Sequence, residues 1–517
     1  MNEYVLFLIA IIPIIWLIVS LGIMKLPAHK TCFATVILTF IIAMVFWKMP
    51  FVDAITASIE GVLVALWPIL LVIVAALFTY NLAVETKTMD TMKKMLSSIT
   101  TDDRIQVLIL AWGFGGFLEA VAGYGTAVAI PASILASLGF NPIFAAIICL
   151  IANTVPTAFG AIGIPVSTLA SVTGLDVMRL SYLTAIQLAP FIIVIPFVLV
   201  ILTKKSLKAL KGVFLITLAS GVAFALPQIF VAKYLGAELP ALIGSLCSML
   251  ITILMAKAMN KRKDMSEEEN RIKGSVALKV SVSTKEGILA WLPYILLCVL
   301  ILAASPLFTS INEFLARFAS QFKIYTGEGA ATTEFIWINT PGIVIIVATF
   351  IGGLIQRVKV STMINVFIRT VKQLSKSFIT ITSIVAISKL MSYSTMTASI
   401  SFGLSAITGS FYPVISPLLG SIGTFVTGSD TSANILFGGL QSQSATSLGI
   451  DPYWIAAANT AGATAGKMIS PQSIAIATSA TGLIGKEGKI LNSTLKFCLG
   501  YVVILGVLVY FGSYIQI

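Results

Sequence analysis

The chain has 517 residues, of which 58% are hydrophobic and 10% charged, and its mean hydropathy is +1.01. Soluble proteins carry roughly 25% charged residues, so this composition cannot cover a soluble globule, and disordered and fibrous classes fail with it. The formal net charge of +12 does not point to nucleic acid, because the Lys and Arg residues gather in short loops between apolar runs, as in positive-inside topology.

Apolar runs about 20 residues long predict membrane-crossing helices; a β-barrel would alternate over ~10 residues. Twelve crossings are expected, at 4–23, 31–49, 60–83, 142–175, 180–203, 212–232, 238–257, 288–307, 336–355, 371–391, 453–484 and 496–515. The first is a retained helix, since MNEYVLFLIA lacks the basic start of a cleavable signal. Stretches 105–139 and 413–447 are apolar but split by central glycines, and read as re-entrant hairpins. Segments 142–175 and 453–484 are too long and too rich in Gly and Pro for straight helices, and read as broken ones. The loop 257–286, with KRKDMSEEENRIKG, reads as a solvated cytoplasmic linker. With this count the basic loops all fall on one side, which predicts both termini outside.

A repeat runs through the chain. Ala152-Asn153-Thr154, Gly160 and Pro165 match Ala458-Asn459-Thr460, Gly466 and Pro471 at a constant offset, and Gly123 and Thr126 match Gly428 and Thr431. An odd number of crossings separates the copies, so the second is expected inverted. Inverted repeats with helices broken near midplane mark secondary transporters. The expected fold is therefore an all-α polytopic membrane protein of about 12 transmembrane helices in two inverted repeats, each with a re-entrant hairpin and a broken helix. Repeat 1 is 1–203, a linking helix pair with its cytoplasmic loop is 204–286, and repeat 2 is 287–517.

Three ionisable residues fall where the repeat puts the breaks: Glu119, Asp430 and Lys467. Each costs roughly 2.5–3.5 kcal/mol at the centre of a span, and their repeat partners Thr424, Gly125 and Ala161 are neutral. Lys467, beside a helix break, suits an anion; the alternative is a structural ion pair with Glu119 or Asp430. Glu119 and Asp430 are proton-carrier candidates, or else solvated hairpin tips. Asn153, Thr154, Asn459 and Thr460 offer donors and acceptors at the breaks, or else cap them. Gly123, Gly125, Gly428 and Gly466 allow turns and close backbone approach. Lys389, Asp53 and Glu60 sit near span ends and are expected to reach for an interface.

Enzyme motifs fail. GATAGKM at 462–468 is one residue short of a phosphate loop and ends on Met, and neither GxSxG nor HExxH occurs. Five cysteines lie in apolar segments without a CxxC pair, and His29 is the single histidine, so no disulfide, metal site or Ser-His-Asp triad is expected.

FLEAVAGYGTAVAIP (117–131), CLIANTVPTAFGAIGIPVS (149–167), GSDTSANILFGGLQ (428–441), AANTAGATAGKMISPQSIAIA (457–477) and GLIGKEG (482–488) closely resemble the bacterial L-lactate permease family, and the likeness covers essentially the whole chain. The resemblance implies a permease of the bacterial cytoplasmic membrane for L-lactate, with D-lactate and glycolate, coupled to protons, and no cofactor. Distantly, the paired Asn-Thr turns are similar to the ion transporter superfamily, whose members use inverted repeats and an elevator-like motion. That likeness implies substrate and ion sites at Asn153, Thr154, Asn459 and Thr460 and at the 123–126 and 428–431 tips, with Gly123, Gly125 and Ser429; Lys467 for the substrate anion and Glu119 and Asp430 for the proton join them from the reading of their charge above. The superfamily's Ser-Asn-Thr is Ala-Asn-Thr in both copies here, which favours protons over sodium. The expected partners are a small monocarboxylate and the lipid bilayer, not nucleic acid, with a homodimer left open.

Overall fold

The computed structural model describes residues 2–24, 26–123, 125–267, 283–328, 330, 332–483 and 486–515; residues 268–282 of the 257–286 linker lie outside them. Among the described residues 11 helices are long and apolar enough to cross a membrane, or 12 if the pair Val360–Gln373 and Ser375–Tyr393, bent by 53°, is one span. The expected all-helical polytopic architecture is borne out. The set differs in detail from the twelve expected crossings. Asp103–Val121 passes the length test as a hairpin arm, whereas Pro341–Ile355 falls short of it.

Two short amphipathic helices lie between spans. In Thr88–Ser97, Met89, Met92 and Leu96 are buried at helical spacing. Met363, Val366 and Thr370 do the same in Val360–Gln373, with Arg369 and Lys372 exposed. The predicted crossing at 336–355 begins only at Pro341, because Thr333–Ile336 pairs antiparallel with Ala319–Phe322, Ala319 opposite Ile336. This β-hairpin, the one sheet among the described residues, was not expected.

Both glycine-split stretches fold as helical hairpins. Asp103–Val121 turns through Gly123 (φ +58°) and Gly125 (φ +82°) into Thr126–Ser137. Tyr412–Thr427 turns through Gly428 (φ +74°) into Asp430–Ser447. These angles lie in the left-handed region that glycine adopts without a Cβ clash.

The two broken helices differ. In the first, Pro142–Ala152 ends at Asn153, a 3₁₀ turn covers Val155–Phe159, and the helix resumes over Gly160–Thr173. In the second, Pro452–Lys467 runs unbroken through Asn459 and Thr460, and the interruption comes later, before Pro471–Thr481. The expectation of a break at the second Asn-Thr pair is thus corrected. Pro156 follows the first pair by two residues, and a proline has no N–H to continue the helix. Gly462 stands at the matching place after the second pair, and there Pro471 makes the break.

Gly462 has a different task. Cβ atoms on Gly462, Gly466 and Gly420 would overlap the carbonyl oxygens of Pro417, Ser421 and Asn459. GATAG at 462–466 is therefore a small-xxx-small face that seats Pro452–Lys467 on Tyr412–Thr427.

Glu60 and Lys389 do not reach for an interface. Glu60 is 1% exposed; its Oε1 accepts from Lys389 Nζ at 2.7 Å and Tyr393 OH at 2.8 Å, and its Oε2 from Tyr325 N at 3.2 Å. Asp53 Oδ1 accepts from Thr326 Oγ1 at 2.7 Å. A charge out of water persists when it is paired and hydrogen-bonded, and this cluster ties the loop before Thr333–Ile336 to the helix Phe51–Val64.

The hairpins and broken helices interlock crosswise. Gly160–Thr173 packs on Asp430–Ser447, and Thr126–Ser137 packs on Pro471–Thr481.

Candidate functional site

At the centre of this interlock lies a cavity of about 80 Å³. Both hairpin tips reach it through Gly123, Gly125 and Ser429, and both broken helices reach it at their interruptions. Ile73, on Leu71–Glu85, is the one lining residue from outside the hairpins and broken helices. A larger cavity of about 730 Å³ adjoins it, and Ile164 lines both.

Four helices begin at the small cavity: Thr126–Ser137 at Gly125, Gly160–Thr173 at Gly160 to Pro165, Asp430–Ser447 at Ser429, and Pro471–Thr481 at Gln472 and Ser473. A helix start carries unpaired N–H groups and the equivalent of about half a positive charge. Four of them around one small volume, with Lys467 in its wall, offer an anion its partners, against which stand the carboxyl groups of Glu119 and Asp430 in the same wall.

One helix start is strained. Ala161, Ile162 and Gly163 follow one another in the left-handed region, at φ +45°, +58° and +74°. A β-branched residue there is an outlier worth of order 1–3 kcal/mol, held only where its surroundings over-determine it. Ile162 is buried, and a Cβ on Gly123 would lie 3.3 Å from the Ala161 Cβ, so the first hairpin tip rests on this turn.

The cation has two acidic neighbours in the wall. Lys467 Nζ lies 3.7 Å from Glu119 Oε1, and both residues are buried. Glu119 fits because a Cβ on Gly160 would come within 2.8 Å of that same oxygen. Asp430 shares the wall. One oxygen of each carboxylate, Glu119 Oε2 and Asp430 Oδ2, has no hydrogen-bond partner among the described residues.

Asp430 is the end of a buried chain of donors that all point one way. Tyr412 OH donates to Gln441 Oε1 at 2.8 Å, Gln441 Nε2 to Asn459 Oδ1 at 3.1 Å, and Asn459 Nδ2 to Asn434 Oδ1 at 2.9 Å. Asn434 Nδ2 donates to Thr460 Oγ1 at 2.8 Å, and Thr460 Oγ1 to Asp430 Oδ1 at 3.2 Å. Asn434 Nδ2 also meets Pro165 O at 3.0 Å, joining the second hairpin to the first broken helix.

Of the residues expected at the site, Glu119, Gly123, Gly125, Ser429, Asp430 and Lys467 line the cavity. Asn153, Thr154, Asn459 and Thr460 are buried but do not line it. Asn459 and Thr460 act on it through the chain to Asp430. Thr154 Oγ1 donates to Leu150 O at 3.3 Å, and neither polar side-chain atom of Asn153 has a partner among the described residues. Sequence reasoning missed Thr157, Gln472 and Ser473 in the wall, and Asn434 and Gln441 behind it. The last two were findable: they stand seven residues apart on one face of an apolar helix.

Comparison with known proteins gives a consistent result. The family model described as L-lactate permease matches residues 6–516. An L-lactate permease of Streptococcus iniae is 51% identical over 87% of this chain and 93% of its own length. The L-lactate permease of Escherichia coli K12 and the glycolate permease GlcA of the same strain are each 34% identical, over 98% of this chain and 96% of theirs. The solved structure of Neisseria gonorrhoeae MtrF, described among antimetabolite efflux pumps, is similar in fold. It has a TM-score of 0.54 over 96% of this chain and 97% of that one, at 12% identity.

Proposed function

The chain belongs to the L-lactate permease family, and from that premise we propose that it is a secondary transporter carrying L-lactate, with D-lactate and glycolate, in symport with protons across the bacterial cytoplasmic membrane. Relatives named for L-lactate and for glycolate support the substrate class. The observation that carries the reading is the cavity itself: four helix starts and Lys467 around about 80 Å³, a volume and a set of partners matched to a small monocarboxylate.

The substrate carboxylate takes its place against Lys467 and the helix starts, and its hydroxyl bonds to the hydroxyls of Ser429, Ser473 or Thr157. Charge then requires the proton. Lys467 with ionised Glu119 and Asp430 sums to one negative charge, and an added anion makes two. A buried excess of charge is strongly unfavourable, so the anion moves with a proton on Glu119 or Asp430. The repeat supports an inverted arrangement of the two halves, and the gathering of basic loops on one side supports both termini outside. All lining residues but Ile73 belong to hairpins and broken helices, which suits an elevator-type motion of those pieces against the other spans.

The test is uptake of labelled L-lactate into proteoliposomes. An inward-directed proton gradient should drive accumulation above equilibrium, and a sodium gradient at equal pH should not. Counterflow by succinate or malate in place of lactate and glycolate would move the protein to another class of organic anion. Accumulation that follows sodium alone would overturn proton coupling.

A further inference from the structure

The lining of the small cavity is of two kinds. Glu119, Asp430, Lys467, Ser429, Ser473 and Thr157 supply charge and hydroxyls, and the large apolar side chains are three isoleucines, Ile73, Ile164 and Ile476. Each isoleucine comes from a different helix: Leu71–Glu85, Gly160–Thr173 and Pro471–Thr481. Resting on the reading above, we propose that these isoleucines form the wall that sets the size of the substituent the acid carries on its hydroxyl-bearing carbon.

The chemistry divides the ligand as it divides the lining. A 2-hydroxy acid offers a carboxylate, a hydroxyl and one further group, which is hydrogen in glycolate and methyl in lactate. The first two satisfy the polar groups. A methyl placed there would leave buried donors and acceptors unpaired, so it goes to the isoleucines.

The wall is stiff. A β-branched side chain on a helix holds essentially one χ1 rotamer, so an isoleucine cannot swing aside for a larger group as methionine or leucine could. Ile73 and Ile164 are buried. Ile476 lies so close to the first hairpin tip that a Cβ on Gly125 would overlap its Cδ1. Ile164 stands between this cavity of about 80 Å³ and the larger one that adjoins it.

The experiment is counterflow in proteoliposomes with glycolate, L-lactate and L-2-hydroxybutyrate, read as rate ratios. Ile73→Ala and Ile476→Ala should raise the ratio of 2-hydroxybutyrate to glycolate about tenfold or more, since a methylene in such a pocket discriminates by roughly 10–200-fold. Ile73→Phe should lower lactate relative to glycolate by about the same factor. Should an alanine variant fail to insert, Ile73→Val and Ile476→Val, each one methyl smaller, shift the ratio in the same direction and by less than the alanine variants. Ratios that stay at wild-type values in variants still carrying glycolate overturn the wall. A wild-type protein that carries none of the three acids overturns the parent reading instead.

Discussion

Glu119 Oε1 and Lys467 Nζ face one another at 3.7 Å, joining the first hairpin to the end of the second broken helix's first half, Pro452–Lys467. The separation exceeds a charge-assisted hydrogen bond, which is ≈ 2.7–2.9 Å. A ligand carboxylate can therefore take Lys467 without first breaking a tight internal pair. Replacing Lys467 with Met removes the proposed partner of the substrate anion and leaves the carboxyl groups of Glu119 and Asp430 in the wall without that cation. Truncating one member of a buried charge pair costs about 2–5 kcal/mol, so L-lactate uptake should fall by about a hundredfold or more, with insertion in the membrane intact. Wild-type uptake in Lys467→Met would refute the anchor.

Glu119→Gln and Asp430→Asn separate carrying from coupling. Either amide keeps the shape of the side chain and can still donate or accept, but cannot take up or release a proton at working pH. At least one of the two should keep lactate counterflow while losing accumulation driven by a pH gradient. If both variants still accumulate lactate against its gradient, neither carboxylate carries the proton.

Asn434 ties its own helix to two others, through Pro165 O on Gly160–Thr173 and through Thr460 and Asn459 on Pro452–Lys467. Asn434→Ala leaves all three partners buried and short of a bond, at about 1–3 kcal/mol each. Tyr412→Phe, at the far end of the same chain, removes a single bond. Thermal unfolding in detergent should show a fall of several degrees for Asn434→Ala and a much smaller one for Tyr412→Phe. Equal falls would mean that the chain does not converge on Asn434.

The Glu60–Lys389 pair predicts a cycle of variants. Lys389→Met alone strands a buried carboxylate and should cost about 3–5 kcal/mol. Adding Glu60→Leu removes that stranded charge, and the double variant should recover most of the loss in unfolding temperature. A double variant as unstable as the sum of the singles would show that the two residues act separately.

Much of this architecture was legible because the punctuation is strong. Glycines at 123, 125 and 428 mark tips that need left-handed backbone, and Pro156 and Pro471 mark the interruptions. The misreading of the second Asn-Thr pair came from treating a shared triplet as a shared break, when the proline two residues on decides it. Partners far apart in the chain were not legible. Glu60 and Lys389 are 329 residues apart, and neither sequence neighbourhood announces the other. The strands Ala319–Phe322 and Thr333–Ile336 have four residues each, too few for alternation to rise above chance. The site's charges stood out because ionisable residues are rare in apolar segments, whereas Thr157 and Ser473 resemble the many other hydroxyls in these helices.

The small cavity presents three unlike surfaces: a cation among helix starts, a set of hydroxyls and carboxylates, and an isoleucine wall. A carbon bearing a carboxylate, a hydroxyl and a methyl can match all three in one sense of rotation, and its mirror image must misplace at least one group. On the proposed reading of its walls the site is handed. The two lactate enantiomers should differ in the strength with which they are held, while glycolate, having no stereocentre, supplies the internal standard against which that difference is read.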